Sequence, residues 1–288
     1  MHPASKVRLF LRLVKFPHTV FALPFALMSA TVAANGLPRI RTLMWLLVAM
    51  VSARSAAMAF NRLVDAEIDA QNPRTADRAL ARGLVSRREV AGFIIAAASI
   101  FIFAASRLNK LALALSPVAL TIILGYSYVK RYTHWTHLLL GVALGIAPVG
   151  AWIAVRGHFG AFPLLLALAV SLWVAGFDII YACQDTDFDK THGIFSFPQT
   201  YGVARALKLA AAFHAGAALV LIVLVLFPSL GVIYLAGVLL ACVLLSYEHS
   251  LVKPDDLSRA DSAFFTVNGV ISVMVMCFAV VDVLVRAV

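Results

Sequence analysis

Charge is scarce in this sequence: 13% of its 288 residues are Asp, Glu, Lys or Arg, while 62% are hydrophobic and mean hydropathy is +0.92. Soluble domains carry about twice that share of charge, so a soluble fold of this length is excluded. Cysteine is scarce too. Cys183, Cys242 and Cys277 stand alone, without the pair spacing that zinc or redox chemistry needs, and are expected to pack. No Pro/Ser-rich linker or low-complexity tract divides the chain, so residues 1–288 are expected to form one domain. The basic N-terminus lacks a short apolar core followed by a small-residue cleavage site, and no removable signal peptide is expected. The net charge of +10 is dispersed between apolar segments rather than gathered on a soluble module, which argues against nucleic acid as a partner.

What is present is a series of long apolar runs. Nine fall at about 18–36, 43–61, 90–106, 111–128, 138–155, 162–181, 207–227, 230–247 and 263–285, each long enough to approach the thickness of a bilayer. The expected fold class is an all-α membrane protein. Residues 3–16 interleave Lys6, Arg8, Arg12 and Lys15 with apolar side chains, as a helix on the membrane surface would. Of the 24 Lys and Arg, 17 lie on the N-terminal side of the alternating loops, counting Lys208 at the edge of its span, and 6 on the other. Positive charge marks the cytoplasmic side, so the N-terminus and the loops 62–89, 129–137, 182–206 and 248–262 are expected there. A bacterial inner membrane is the expected location.

The acids are concentrated rather than scattered. Eight of the fourteen lie in two clusters: Asp65, Glu67, Asp69 and Asp77, then Asp178, Asp185, Asp187 and Asp189. In NRLVDAEID, Asn61, Asp65 and Asp69 recur every fourth residue where an apolar run ends. Steps of four drift by about 40° on a helix, so the three share a face, with Arg54 in the same arc. Tyr181, Asp185 and Asp189 repeat the spacing at the end of another run. After the first motif, Asn72-Pro73 marks a turn, and Arg74, Arg78 and Arg82 follow at helical spacing. After the second, residues 190–202 form a Gly- and Pro-containing connector able to fold over a site.

Snorkelling acids paired with nearby arginines would explain either motif alone. Two matching copies on one side of the membrane are harder to explain so, because acids near a bilayer carry a cost. Facing carboxylates need a cation between them, and hard oxygen donors select magnesium, which often bridges carboxylates to phosphate. A diphosphate substrate is therefore implied, with Arg54, Arg62, Lys130 and Arg131 available for its remaining oxygens. The histidines, including His18, His134, His137, His214 and His249, are expected to be interfacial or structural. Glu248, Asp255, Asp256 and Asp261 are expected to solvate the last cytoplasmic loop.

Three stretches, RSAAMAFNRLVDAEIDAQNPRTADRAL, YSYVKRYTHWTHLLLG and DIIYACQDTDFDKTHGIFSFP, resemble the signature regions of the UbiA family of intramembrane aromatic prenyltransferases. The resemblance runs from KFPHT to about Gly202; beyond residue 207 only hydropathy agrees. It implies nine membrane helices around a central cavity open to lipid, capped by cytoplasmic loops. It also implies transfer of a polyprenyl group from polyprenyl diphosphate to a small aromatic acceptor, with 4-hydroxybenzoate of ubiquinone synthesis expected. By that similarity Asn61, Asp65, Asp69, Asp185 and Asp189 hold Mg2+ on the diphosphate, and Arg62, Lys130 and Arg131 assist. Tyr181 lies beside the reacting carbon, and Asp178 supports the site. Arg62 departs from the many members that have an acid there. Arg54, two turns before Asn61, is a candidate for the acceptor carboxylate, with Arg131 competing. A menaquinone-pathway acceptor is the alternative substrate, and an ion-coupled transporter the alternative class.

Overall fold

The protein is described by a computed structural model covering residues 21–287. The surface helix expected at 3–16, His18, KFPHT and the first residues of the first span lie outside the described residues. In chain order the principal helices are α1 (Leu23–Ala34), α2 (Ile40–Val64), α3 (Ala66–Gln71), α4 (Arg87–Leu108), α5 (Lys110–Val129), α6 (Thr136–Arg156), α7 (Ala161–Ala182), α8 (Thr186–His192), α9 (Phe197–Tyr201), α10 (Val203–Val223), α11 (Val232–Ser250) and α12 (Asn268–Arg286). Among the described residues eight stretches are long and apolar enough to cross a membrane. They are the helices α2, α4, α5, α6 and α11, and the runs Ala161–His192, Val203–Leu226 and Ala260–Arg286. The described part of the first expected span is the shorter apolar helix α1. The chain is thus an all-helical integral membrane protein, and apolar side chains within these stretches such as Ile95, Leu226 and Val232 stand exposed, as a lipid surround allows.

Helix is the only form that satisfies every backbone group within one apolar segment, and the ends are set locally. Ser86 starts α4 with a capping box: its hydroxyl accepts from the Glu89 amide at 3.2 Å, and its own amide donates to Glu89 Oε2 at 2.9 Å. The described residues group into two compact units, Leu43–Tyr128 and residues 21–42 with 129–287.

In the first unit, α2 meets α4 through Trp45 and Phe103, edge to face at 5.6 Å, with the Arg107 guanidinium 5.8 Å from the Trp45 ring. Nearer the acidic motif, Ala59, Val85, Val90 and Ile94 form a small core capped by Phe60 and Leu63.

In the second unit, α1, α6, α7, α10, α11 and α12 surround a core that includes Phe25, Met28, Phe162, Trp173, Phe177 and Tyr234. Between apolar helices in lipid, close packing replaces the hydrophobic effect. Gly141 and Gly145 supply it: a Cβ at either position would overlap the α7 backbone at Ser171 or Ala167. Polar ties complete the packing. Ser29 donates to the Pro148 carbonyl at 2.7 Å, and His214, paired with His249 at 2.9 Å, reaches the Trp173 carbonyl at 3.1 Å. Each such bond adds only about 0.6 kcal/mol, so the ties select register more than they add stability. Asp282, buried on α12, accepts from the Gly231 and Tyr234 amides and so caps α11.

Glu248 differs from expectation. The helix runs on to Ser250, placing Glu248 in its last turn at 0% exposure rather than in a solvated loop, whereas Asp255, Asp256 and Asp261 are exposed.

Candidate active site

Each acidic motif sits where a membrane helix breaks. α2 ends at Val64 and α3 begins at Ala66, with Asp65 between them at φ −93°, ψ 4°. In the second motif α7 gives way to a 3-10 turn, Cys183–Asp185, and then to α8, with Asp185 at φ −100°, ψ 5°. Both central aspartates therefore occupy the sparsely populated bridge region, where many active-site residues are found. The break does not undo the spacing. Asp65 N still bonds Asn61 O at 2.9 Å and Asp69 N bonds Asp65 O at 2.7 Å, so the every-fourth-residue face survives across the kink. Asp69 and Asp189 then fall in the first turn of the short helix, where the positive end of the backbone dipoles favours anions.

Within the first unit, Asn61 Nδ2 donates to Asp65 Oδ2 at 2.9 Å. Asp65 and Asp69 are 2% and 6% exposed. Asp69 is matched by two cations: Arg78 bonds its Oδ1, and Arg62 lies 3.9 Å from Oδ2. Arg78 gets there because residues 72–85 fold as successive turns rather than as the helix suggested by the spacing of Arg74, Arg78 and Arg82. Asn72 starts them, accepting the Arg74 amide on its side chain at 2.9 Å, and Thr75 returns to the Asp69 carbonyl at 3.0 Å. Arg54 lies deeper on α2. Its Nε is buried without a hydrogen-bond partner among the described residues, and Tyr126 lies within electrostatic reach of both Arg54 and Arg62.

Within the second unit, Asp189 is 8% exposed and accepts from Ser196 Oγ at 2.8 Å. Lys130, Asp185 and His137 lie within electrostatic reach of it. The connector does fold over the motif. Gly193 takes φ 64°, a left-handed turn, and the next residues tie down in succession. Ile194 N bonds Asp189 O at 3.0 Å, Phe195 N bonds Lys130 O at 2.8 Å, Ser196 holds Asp189, and Phe197 N reaches His137 Nε2 at 3.4 Å. His137 Nδ1 in turn pairs with Asp178 Oδ2 at 2.7 Å. Tyr181 is half-buried, stacked on Phe264 with ring centroids 4.3 Å apart. Arg131 is exposed.

The residues can be tested for fit to magnesium. Among the described residues no three His, Cys, Asp or Glu side chains form a metal-ligating group. Each motif instead offers two spaced carboxylates, and the first adds an amide. Those are hard oxygen donors, without sulfur or nitrogen ligands. That set suits an ion which keeps waters and takes one or two carboxylates plus substrate phosphate.

The pattern of the UbiA prenyltransferase family matches residues 22–270, which includes both motifs. The chain belongs to that family. Among curated relatives, the 4-hydroxybenzoate octaprenyltransferase of Nitrosospira multiformis is 31% identical over 88% of this chain and 87% of that protein. Its counterpart in Xanthomonas euvesicatoria is 32% identical over 83% and 79%. Among solved structures, a UbiA homolog from Aeropyrum pernix K1 superposes with a TM-score of 0.83 at 35% identity, covering 92% of this chain and 98% of that one. A UbiA homolog from Archaeoglobus fulgidus bound to DMAPP and Mg2+ shares the fold at TM-score 0.72 and 19% identity, over 95% and 98%. UbiA membership disfavours the transporter alternative.

Sequence reasoning did not single out Ser196 or Phe264, and it gave His137 only an interfacial or structural part. Ser196 and His137 are tied to the connector, whose path no local spacing reveals. Phe264 belongs to the region where only hydropathy carried information, and no sequence signal pointed to it.

Proposed function

We propose that this chain is a magnesium-dependent prenyltransferase that moves a polyprenyl group from its diphosphate to a ring carbon of 4-hydroxybenzoate. The observation that carries the proposal is the repeated break at Asp65 and Asp185, which gives two acidic half-sites the same local backbone. Curated relatives named for 4-hydroxybenzoate support this acceptor over a menaquinone-pathway one.

Asn61, Asp65 and Asp69 in one half-site and Asp185 and Asp189 in the other would hold Mg2+, which would neutralise the diphosphate as it departs. Arg62, Lys130 and Arg131 bind the remaining phosphate oxygens, and Asp178, fixed by His137, braces the connector that is tied to Lys130. The allylic C–O bond breaks, the cation forms beside the Tyr181 ring, and the acceptor ring attacks and then loses its proton. Arg54 receives the acceptor carboxylate: its Nε is a buried donor without a hydrogen-bond partner among the described residues, and an unpaired carboxylate in an apolar cavity would be very costly. The N-terminus and both motif loops face the cytoplasm.

Membranes containing the protein, given 4-hydroxybenzoate or a menaquinone-pathway acceptor with prenyl diphosphates of several lengths, should yield prenylated 4-hydroxybenzoate by mass spectrometry, and none in chelator. Product only from the other acceptor would reassign the substrate. In a cysteine-free background, Asp77→Cys and Thr200→Cys, both exposed, should label from the same side of sealed vesicles. Labelling from opposite sides would refute the cytoplasmic placement of both motif loops.

A further inference from the structure

The last membrane-spanning stretch does not begin as a regular helix. Residues Ala263–Val267 form a π-helical turn before α12, and such turns are frequent where function constrains the backbone. This one carries two aromatic side chains against the second motif. Phe264 stacks on Tyr181 at 4.3 Å and meets Phe177, one turn earlier on α7, at 5.1 Å; Phe265 approaches Tyr181 edge-on at 6.0 Å. Next to Asp185, Gln184 donates to Asp261 at 3.4 Å, at the start of the same stretch.

The widened turn is held from inside. Asn268, fully buried, donates its side-chain amide to the Ala263 carbonyl at 2.9 Å, to the Phe264 carbonyl at 3.4 Å and to Glu248 Oε1 at 2.8 Å. Glu248 is also fully buried, and its Oε2 and Asn268 Oδ1 have no hydrogen-bond partner among the described residues. A carboxyl kept wholly out of water in a membrane helix, with one oxygen unsatisfied, is an expensive way to fill space that leucine would fill freely. What the pair supplies that leucine cannot is a fixed acceptor for the amide that pins the turn.

We propose that Glu248 and Asn268 are positioning residues which, by fixing the π-helical turn, hold Phe264 on Tyr181 and so shape the wall beside the reacting allylic carbon. The proposal presupposes prenyl transfer at this site and concerns where the cation goes. After the C–O bond breaks and diphosphate departs, the carbon is captured by the acceptor ring, which then loses a proton. Alternatively it is captured by water, which loses a proton and yields prenyl alcohol. A tight aromatic wall excludes the water; a loosened one admits it.

The test is the ratio of prenyl alcohol to prenylated 4-hydroxybenzoate, with kcat, KM for both substrates and thermal stability in detergent. Glu248→Leu and Asn268→Leu should lower kcat roughly 10- to 100-fold and raise the alcohol share, with both KM values within about threefold, since small misplacements act on the chemical step. Glu248→Gln keeps an acceptor oxygen for Asn268 and should restore the wild-type ratio. Phe264→Leu removes the ring without touching the buried pair and should reproduce the raised alcohol share, so the proposal stays testable if the buried variants fail to fold. A wild-type ratio in Phe264→Leu overturns it. So does a Glu248→Gln variant as defective as Glu248→Leu, or a loss of activity that merely follows melting temperature at constant ratio. If the wild-type protein itself makes no prenylated product, the function proposed above fails instead.

Discussion

The two acidic motifs share a backbone and differ in what surrounds it. Both put their central aspartate in the bridge region and their last in the first turn of a short helix. At the first position, however, one has Asn61, whose amide reaches Asp65, and the other has Tyr181, whose ring lies on Phe264. At the last position Asp69 is matched by Arg78 and Arg62, while Asp189 is held by a neutral hydroxyl, with Lys130 nearby. The first half-site thus combines polar donors with compensating charge, suited to phosphate and metal. The second combines a hydroxyl-held carboxylate with an aromatic first position, Tyr181 stacked on Phe264. Equal spacing in sequence conceals different surroundings.

The strongest way to break that comparison is to remove charge from both halves. Asp65→Asn, Asp69→Asn, Asp185→Asn and Asp189→Asn keep side-chain shape but lose the negative charge that holds a divalent ion. Each should lower kcat by at least about 1,000-fold, equivalent to roughly 4 kcal/mol, as should chelation of the wild type. Full activity in any two of these variants, measured in membranes with unchanged protein content, would refute a shared metal role. Arg78→Ala comes next. Asp69 would keep only Arg62 at 3.9 Å, and loss of one partner from a largely buried ion pair costs several kcal/mol, less where Arg78 is partly exposed. A fall in kcat/KM of roughly 100-fold is expected, most of it as weaker diphosphate binding. A change confined to the aromatic acceptor would move Arg78 out of the phosphate end.

Much of this difference lies in contacts that spacing does not encode. The apolar runs and the four-residue recurrence of Asn61, Asp65 and Asp69 are local properties, so spans and acids were legible in the sequence. The turns over 72–85 were not fully so. Asn72-Pro73 announced a turn, but the arginine spacing suggested a helix, and the bonds of Asn72 to the Arg74 amide and of Thr75 to the Asp69 carbonyl bring Arg78 to Asp69. Glu248 read as a loop acid because hydropathy ran out one turn before the helix did. Its partner Asn268 is twenty residues away, beyond the reach of any periodicity.

Arg54 sharpens the comparison from the acceptor side. Lysine would preserve its charge but not the planar fork that matches a carboxylate. Arg54→Lys should raise KM for 4-hydroxybenzoate about 10-fold while leaving that for polyprenyl diphosphate within about twofold. An equal or larger loss for the diphosphate would place Arg54 in the phosphate shell, leaving Arg131 as the candidate for the acceptor.

The smallest effect belongs to Ser196, where the two halves differ most quietly. Its hydroxyl, a neutral donor, gives Asp189 one hydrogen bond, and such a bond to a carboxylate contributes about 1.5–3 kcal/mol when fully buried. The connector carries two other ties, Phe195 N to Lys130 O and Phe197 N to His137, so removing the hydroxyl should not release it. Lys130 also remains near Asp189. Ser196→Ala should therefore lower kcat/KM only about fivefold, and Ser196→Thr, which keeps the hydroxyl, less than that. Titration of magnesium should show a higher requirement for Ser196→Ala, because an unanchored Asp189 must be ordered on binding. If Ser196→Ala proves as damaging as Arg78→Ala, the second half-site depends on its support as strongly as the first, and the contrast between charge-compensated and hydroxyl-held aspartates falls.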